Sequence, residues 1–249
     1  MSVLNAERIK LLSTRSPWWC ALLAIALPVG LTALIASQAQ IQPGDAGNGV
    51  YITQMLSSLG RAVVLVMAAL SITSEYRFGT IRSTFQVVPH RATALLAKTA
   101  VTAIPAMLIG AAVGFGSWAV FQAINSFPEL ALDTAQDWRA VAGQVLVFGI
   151  TAVLALGVGM LIRQTAGAVA VLLVYALLVE GLIGLIPKIG DDIQHWLPFF
   201  AADRFLGLQD DIPQLRDLPL GPWGYLAYFA AVAAAVLAAG ILSAQRRDA

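Results

Sequence analysis

Two sets of ionisable residues stand out against an otherwise apolar chain. The first lies in residues 74–98, SEYRFGTIRSTFQVVPHRATALLAK, which carry Glu75, Arg77, Arg82, His90, Arg91 and Lys98, with Gly79 and Pro89 as punctuation. Positive charge around a few apolar side chains suits docking to a soluble partner. The second set is Arg61 and Glu180, each placed inside a long apolar run. A charge in such a run has to face protein or a water-filled cavity. Arg61 and Glu180 therefore either line a pathway or form an intramembrane pair.

Bond-making chemistry has no evident footing in these residues. The three lysines are Lys10, Lys98 and Lys188, and none follows a glycine-rich loop, so there is no P-loop. GxSxG, HExxH and cysteine–histidine metal spacings are missing as well. The two histidines, His90 and His195, fall on opposite sides of the expected topology. The single cysteine, Cys20, rules out an internal disulfide and reads as a small buried side chain. No catalytic residue, cofactor, metal ion or nucleic-acid partner is expected for this chain.

The elements that hold these residues follow from composition. Of 249 residues, 59% are hydrophobic and 12% charged, about half the charged share of ordinary soluble domains. Six apolar segments reach spanning length: Trp18–Gln38, Tyr51–Thr73, Thr93–Gln122, Val141–Ile162, Ala166–Ile186 and Trp223–Ser243. Backbone amides in lipid must be satisfied within the segment, so all six should be helices. The first is too long for a signal-peptide core and reads as a retained helix. Pro105 is placed to kink the third. Arg163, Gln164 and Thr165 alone separate the fourth from the fifth.

Charge sets the expected orientation. With the N-terminus inside, the inner side carries ten lysines and arginines and the outer side four. The acids run the other way, three inside and ten outside. The positive-inside bias thus predicts both termini inside. Residues 1–249 form one transmembrane domain. It has an inner lead (1–17), an inner polar segment (74–92) and a long outer loop (187–222).

The segment after the second span resembles the permeases of the ABC-2 type transporter family. The residues that carry the likeness are Glu75, then Gly79-Thr80-Ile81-Arg82, then Pro89-His90-Arg91, then Lys98 opening the third span. The basic lead, six spans, inner termini and larger loop before the last span agree, and Trp196-Leu197-Pro198 is similar to the family's loop after the fifth span. The resemblance implies an all-α, six-helix permease of the ABC-2 (type V exporter-like) fold in a plasma membrane, bacterial in the family's usual setting. It implies a separate ATPase subunit holding ATP and Mg2+, and a second permease copy, identical or related. It also implies a coupling helix within Glu75–Lys98, a connecting helix in the lead, and a pathway lined by the second and fifth spans. The cargo would be lipophilic or amphipathic, a drug or a lipid, moved outward.

The residues themselves fit that division of labour. Between Gly79, which can break a helix, and Pro89, disfavoured inside one, two or three helical turns would set Ile81, Phe85 and Val88 on one face beside Arg82. In the lead, Val3, Leu4, Ile9, Leu11 and Leu12 gather on no single helical face. Gln54, Ser57, Ser58 and Arg61 form a polar stripe on the outer half of the second span. Gly110 and Gly114 make a GxxxG step, and Gly157, Gly159, Gly181 and Gly184 mark the next two spans, all suited to close packing. Trp196-Leu197-Pro198-Phe199-Phe200 is either a short helix capping the outer end or a loop anchored by aromatics. Two other function classes are compatible: an ion-coupled carrier, which usually has several midplane carboxylates, and a non-transporting sensor or resistance scaffold.

Overall fold

The computed structural model describes residues 7, 9, 16–38, 49–81, 91–186, 190–208 and 219–247. Among these, every regular element is helical. Six helices are long and apolar enough to cross a membrane. They are α1 (Ser16–Gln38), α2 (Ser57–Arg77, entered through a 3-10 turn at Val50–Gln54), α3 (Arg91–Ile124), α4 (Ala135–Ile162), α5 (Thr165–Ile183) and the last, α8 (Pro222–Arg247). Between α5 and α8 lie two short helices, α6 (Gly190–Gln194) and α7 (Pro198–Leu206).

Several helices outrun their apolar segments, for local reasons. The fourth starts at Ala135 rather than Val141 because Thr134 and Asp137 form a capping box. The Asp137 N–H donates to Thr134 Oγ1 at 3.2 Å, and the Thr134 N–H donates to Asp137 Oδ2 at 2.9 Å. Hydropathy alone stops short of that polar first turn. α3 begins at Arg91 and continues through Pro105 to Ile124. It outruns the apolar segment Thr93–Gln122 by two residues at each end. α2 ends where Gly79, at φ +70°, takes the left-handed conformation that glycine tolerates without a Cβ clash.

Successive long helices alternate in direction, so the bundle has two chemically distinct ends. The basic end gathers Glu7, Glu75, Lys98, Arg91, Arg163 and the last turns of α8; the acidic end gathers the 3-10 turn, the α3–α4 connection, α6 and α7. α4 is the central helix, packing on α2, α3 and α8. Phe148, Ala152, Ala155, Leu156 and Met160 on it are fully buried. α1 and much of α5 show leucine, isoleucine and valine outward, as helices facing lipid do.

Glycines set how closely α4 is approached. A methyl group on Gly110 or Gly114 would collide with the α4 backbone at Gln144 and Val141. On Gly157 it would stand 2.7 Å from the Leu237 backbone nitrogen of α8, and Gly240 of α8 lies against Gly157 in return. Gly181, by contrast, has open space where its Cβ would be. Backbone cannot move aside as a flexible side chain can. Gly157→Val should therefore lower the stability of the purified protein by about 1–3 kcal/mol, the usual cost of overpacking. Gly181→Ala should be tolerated. Thermal unfolding in detergent of the two variants checks the contrast.

Candidate functional site

The acidic end is organised around α7. Nine residues are too few for a helix to be stable alone in water, so α7 depends on its partners. Its apolar face is buried through Phe199, Phe200, Phe205 and Leu206. Phe199 meets the ring of Phe229 on α8 at 5.9 Å, and Phe205 meets Trp223 edge-on at 5.1 Å. Pro198 occupies the first helical position, where its missing N–H costs nothing. Leu197, which precedes it, has no side chain able to cap the helix. Trp196 packs on Tyr228 and accepts a hydrogen bond from the Tyr228 hydroxyl at 2.7 Å. The Trp196-Leu197-Pro198 stretch thus leads into a buried helix and is not a plain surface loop.

The missing cap comes from α5. The backbone N–H groups of Phe199 and Phe200 donate to the two carboxylate oxygens of Glu180, at 3.0 and 2.7 Å. A carboxylate on a helix N-terminus meets both unpaired donors and the positive end of the helix dipole. Glu180 follows directly on a π-helical stretch, Tyr175–Val179, and is 6% exposed.

The sequence offered Arg61 and Glu180 either as an intramembrane pair or as pathway residues. The two do not pair with each other: Arg61 Nη2 pairs with Asp203 Oδ1 of α7, at 2.5 Å. Glu180 is already occupied by the helix N-terminus, while Asp203, one turn further along α7, lies within reach of α2. The two charges therefore act on the same helix instead of on each other. Arg61 is 3% exposed, and its Nε and Nη1 have no hydrogen-bond partner among the described residues.

The polar stripe of α2 is buried alongside. Gln54 Nε2 donates to the Gly114 carbonyl at 3.0 Å, and Gln144 Nε2 donates to Gln54 Oε1 at 3.3 Å. Ser57 is buried with its hydroxyl unpaired, as is Gln144 Oε1. Unpaired buried polar atoms of this kind call for internal water. α2, α3 and α4 thus share a polar seam that starts at the acidic end and stops at Arg61.

The basic end holds the other group of sequence-predicted residues. Lys98 Nζ lies 2.8 Å from Glu7 Oε2 and 3.0 Å from Glu75 Oε1, all three side chains being largely buried. Glu7 and Ile9 of the lead are helical. Phe78, 71% exposed, stands at the turn with Gly79 and Thr80, and the Arg77 guanidinium lies 5.5 Å from its ring centre. Ile81, expected on the face offered to a partner, is instead 5% exposed and belongs to the main core. The turn at Gly79 folds it inward. Arg82, Phe85 and Pro89, with the rest of 82–90, lie outside the described residues.

Two arginines cap the last helix. Arg163 sits in the left-handed conformation (φ 60°) after α4, and its Nη2 donates to the Ser243 carbonyl at 3.1 Å while the guanidinium lies over Tyr76. Arg91 Nη1 reaches the Gln245 carbonyl at 3.5 Å. Cations at the final carbonyls suit the negative end of a helix dipole.

Sequence reasoning missed Asp203, Glu7, Gln144 and Arg163 as partners. Asp203, Gln144 and Arg163 had the same signal that picked out Arg61, a polar or charged residue beside or within an apolar run; Glu7, in the polar lead, had none. Cys20 is half-buried and lines a cleft at the basic end instead of being enclosed. No family model matches the chain, and no curated protein matches it either.

Arg61 is buried whereas Asp203 is part-exposed. Asp203→Leu strands the buried cation and should cost about 3–5 kcal/mol, Arg61→Leu should cost less because Asp203 keeps some solvent, and the double variant should lose clearly less than their sum. Denaturation of the four proteins in detergent supplies the cycle; additive losses would remove the pair. At the other end, Lys98→Ala should harm stability more than Glu75→Ala, because it leaves two carboxylates facing each other. Adding Glu75→Gln to Lys98→Ala should restore part of the loss in the same assay.

Proposed function

We propose that the chain is the membrane-spanning permease subunit of an ATP-driven, ABC-2 type exporter in a bacterial cell membrane, with both termini on the inner side. It moves a lipophilic or amphipathic molecule, a drug or a lipid, outward. A separate ATPase subunit binds ATP and Mg2+, and a second permease, identical or related, completes the pathway. The permease itself performs no hydrolysis.

One observation carries this reading. Glu75 and Lys98 bracket the polar segment, and both are joined to Glu7 in a single buried ion cluster. A push on the segment from outside the bundle is therefore shared by α2, α3 and the N-terminal lead. That is the mechanical requirement for a part that receives work from a neighbour. Phe78, Gly79 and Thr80, exposed at the start of the segment, offer an apolar ring and bare backbone at the surface. The route from there to the acidic end runs through α2, which carries Glu75 at one end and Arg61, the anchor of α7, in its other half. Tilting α2 at the basic end would pull on the helix that closes the acidic end.

The test is co-expression with the P-loop ATPase encoded nearest to this chain. The two should co-purify, and Phe85→Ala with Arg82→Glu should reduce association or uncouple ATP hydrolysis from transport, while membrane insertion persists. Normal association and transport by both variants would reduce residues 74–98 to a topological loop and overturn the reading.

A further inference from the structure

Between the basic ends of α1, α2 and α3 lies a cleft of about 460 Å3, within the usual range for small-molecule sites. It runs along α2, where Met67, Leu70, Ser71 and Ser74 share one helical face. From Met67 to Phe78, which also lines it, the chain rises by about 16 Å. Cys20 of α1 and Val101 of α3 add to the apolar walls. The charged groups at its basic end are already engaged. Lys98 is held by Glu7 and Glu75 at 2.8 and 3.0 Å, and both carboxylates engage further groups. The Ser71 hydroxyl donates to the Ala68 carbonyl of its own helix at 2.8 Å. Selection of an occupant therefore falls to the apolar walls. The mouth lies at the basic end, where Ser16 and Phe78 line the cleft and are exposed. Trp18 and Trp19, in the same turn of α1 as Ser16, are exposed as well. Exposed tryptophan at the end of a spanning helix marks the headgroup level of a bilayer.

We propose that the cleft holds one acyl chain of a membrane phospholipid, with the lipid head at the mouth and the chain end at Met67. An apolar cavity in a protein stays dry and accepts apolar ligands. Just inside the headgroup level the surroundings offer hydrocarbon chains, and those chains lie along the direction of spanning helices. A chain that enters gives the walls the dispersion contacts that an unfilled space lacks. No charge on the lipid is required. Met67 is buried, so a lipid on the outer face of the bundle does not reach it, whereas a chain in the cleft does. The occupant is a resident lipid and not cargo, which goes beyond the exporter reading and requires no ATPase.

The test uses the native chain in phosphatidylcholine nanodiscs doped with phosphatidylcholine that carries a diazirine at the end of one acyl chain. After irradiation, adducts are mapped by peptide mass spectrometry. Met67 and Leu70 should be labelled, alongside the outward-facing Leu177 and Leu178 of α5. Moving the diazirine next to the glycerol should remove the Met67 adducts and place them at Ser74. Ser71→Phe and Val101→Phe, which fill the cleft from α2 and from α3, should each remove the cleft adducts and leave those on α5, in a protein that still elutes as a single species. Labelling of α5 without Met67, Met67 labelling that ignores the position of the diazirine, or cleft adducts that survive both fillings would overturn the proposal. The contrast in diazirine position needs no substitution, so misfolding of a variant leaves the test standing. None of these results bears on ATPase association, so this inference and the exporter reading fail separately.

Discussion

The contact between Glu180 and the first turn of α7 is the one on which the acidic end depends. Each carboxylate oxygen receives a backbone N–H, from Phe199 and Phe200. A short helix buried in an apolar surround has no water to satisfy its leading amides. Without a cap those donors would be stranded, and Leu197 cannot supply one. The cap therefore has to arrive from another part of the chain, and it comes from α5. Asp203, further along the same helix, is then held by Arg61 of α2. Two long helices that pack on each other thus fix a third element at two points, using charges that would be costly if left alone.

The basic end uses the same economy with the signs exchanged. Lys98 bridges two carboxylates from separate segments, and two arginines meet the final carbonyls of α8. The long helices carry few other charges between these clusters. What lies between is close packing, centred on α4 and made tight by Gly110, Gly114 and Gly157. The bundle is thus a dry, closely packed middle with a charged fastening at each end. The polar seam of Gln54, Ser57 and Gln144 is the departure from that plan.

Much of the architecture was legible because lipid leaves few options. Six apolar runs became six helices, and the small residues of GxxxG lie where helices touch. The limits of those helices were less legible. Hydropathy ignores Thr134 and Asp137, yet their capping box starts α4. Partner choice was less legible still. Arg61 and Glu180 looked paired because both were buried charges at similar depth. Pairing is decided by direction as well as depth, and direction is set by tertiary contacts. Nothing in the spacing said that α7 would fold back to present its N-terminus to one charge and Asp203 to the other. Ile81 teaches the same lesson: its helical spacing with Phe85 and Val88 suggested a docking face, but one left-handed glycine before it turned it into the core.

The π-helical stretch Tyr175–Val179 sits immediately before Glu180. A π-turn accommodates one residue more than the α-helix around it, and such turns recur at functional sites. Each residue of an α-helix turns the chain by about 100°. Everything beyond the insertion is therefore rotated by about that amount relative to the first half of α5. The surplus residue works as an angular offset: it lets the first half of α5 keep its own face toward its neighbours while the second half aims Glu180 at α7. Deleting any one residue of the stretch would leave composition, length and hydropathy almost unchanged. It would nonetheless swing the carboxylate away from the amides it caps, an injury invisible to any comparison that counts only which residues are present.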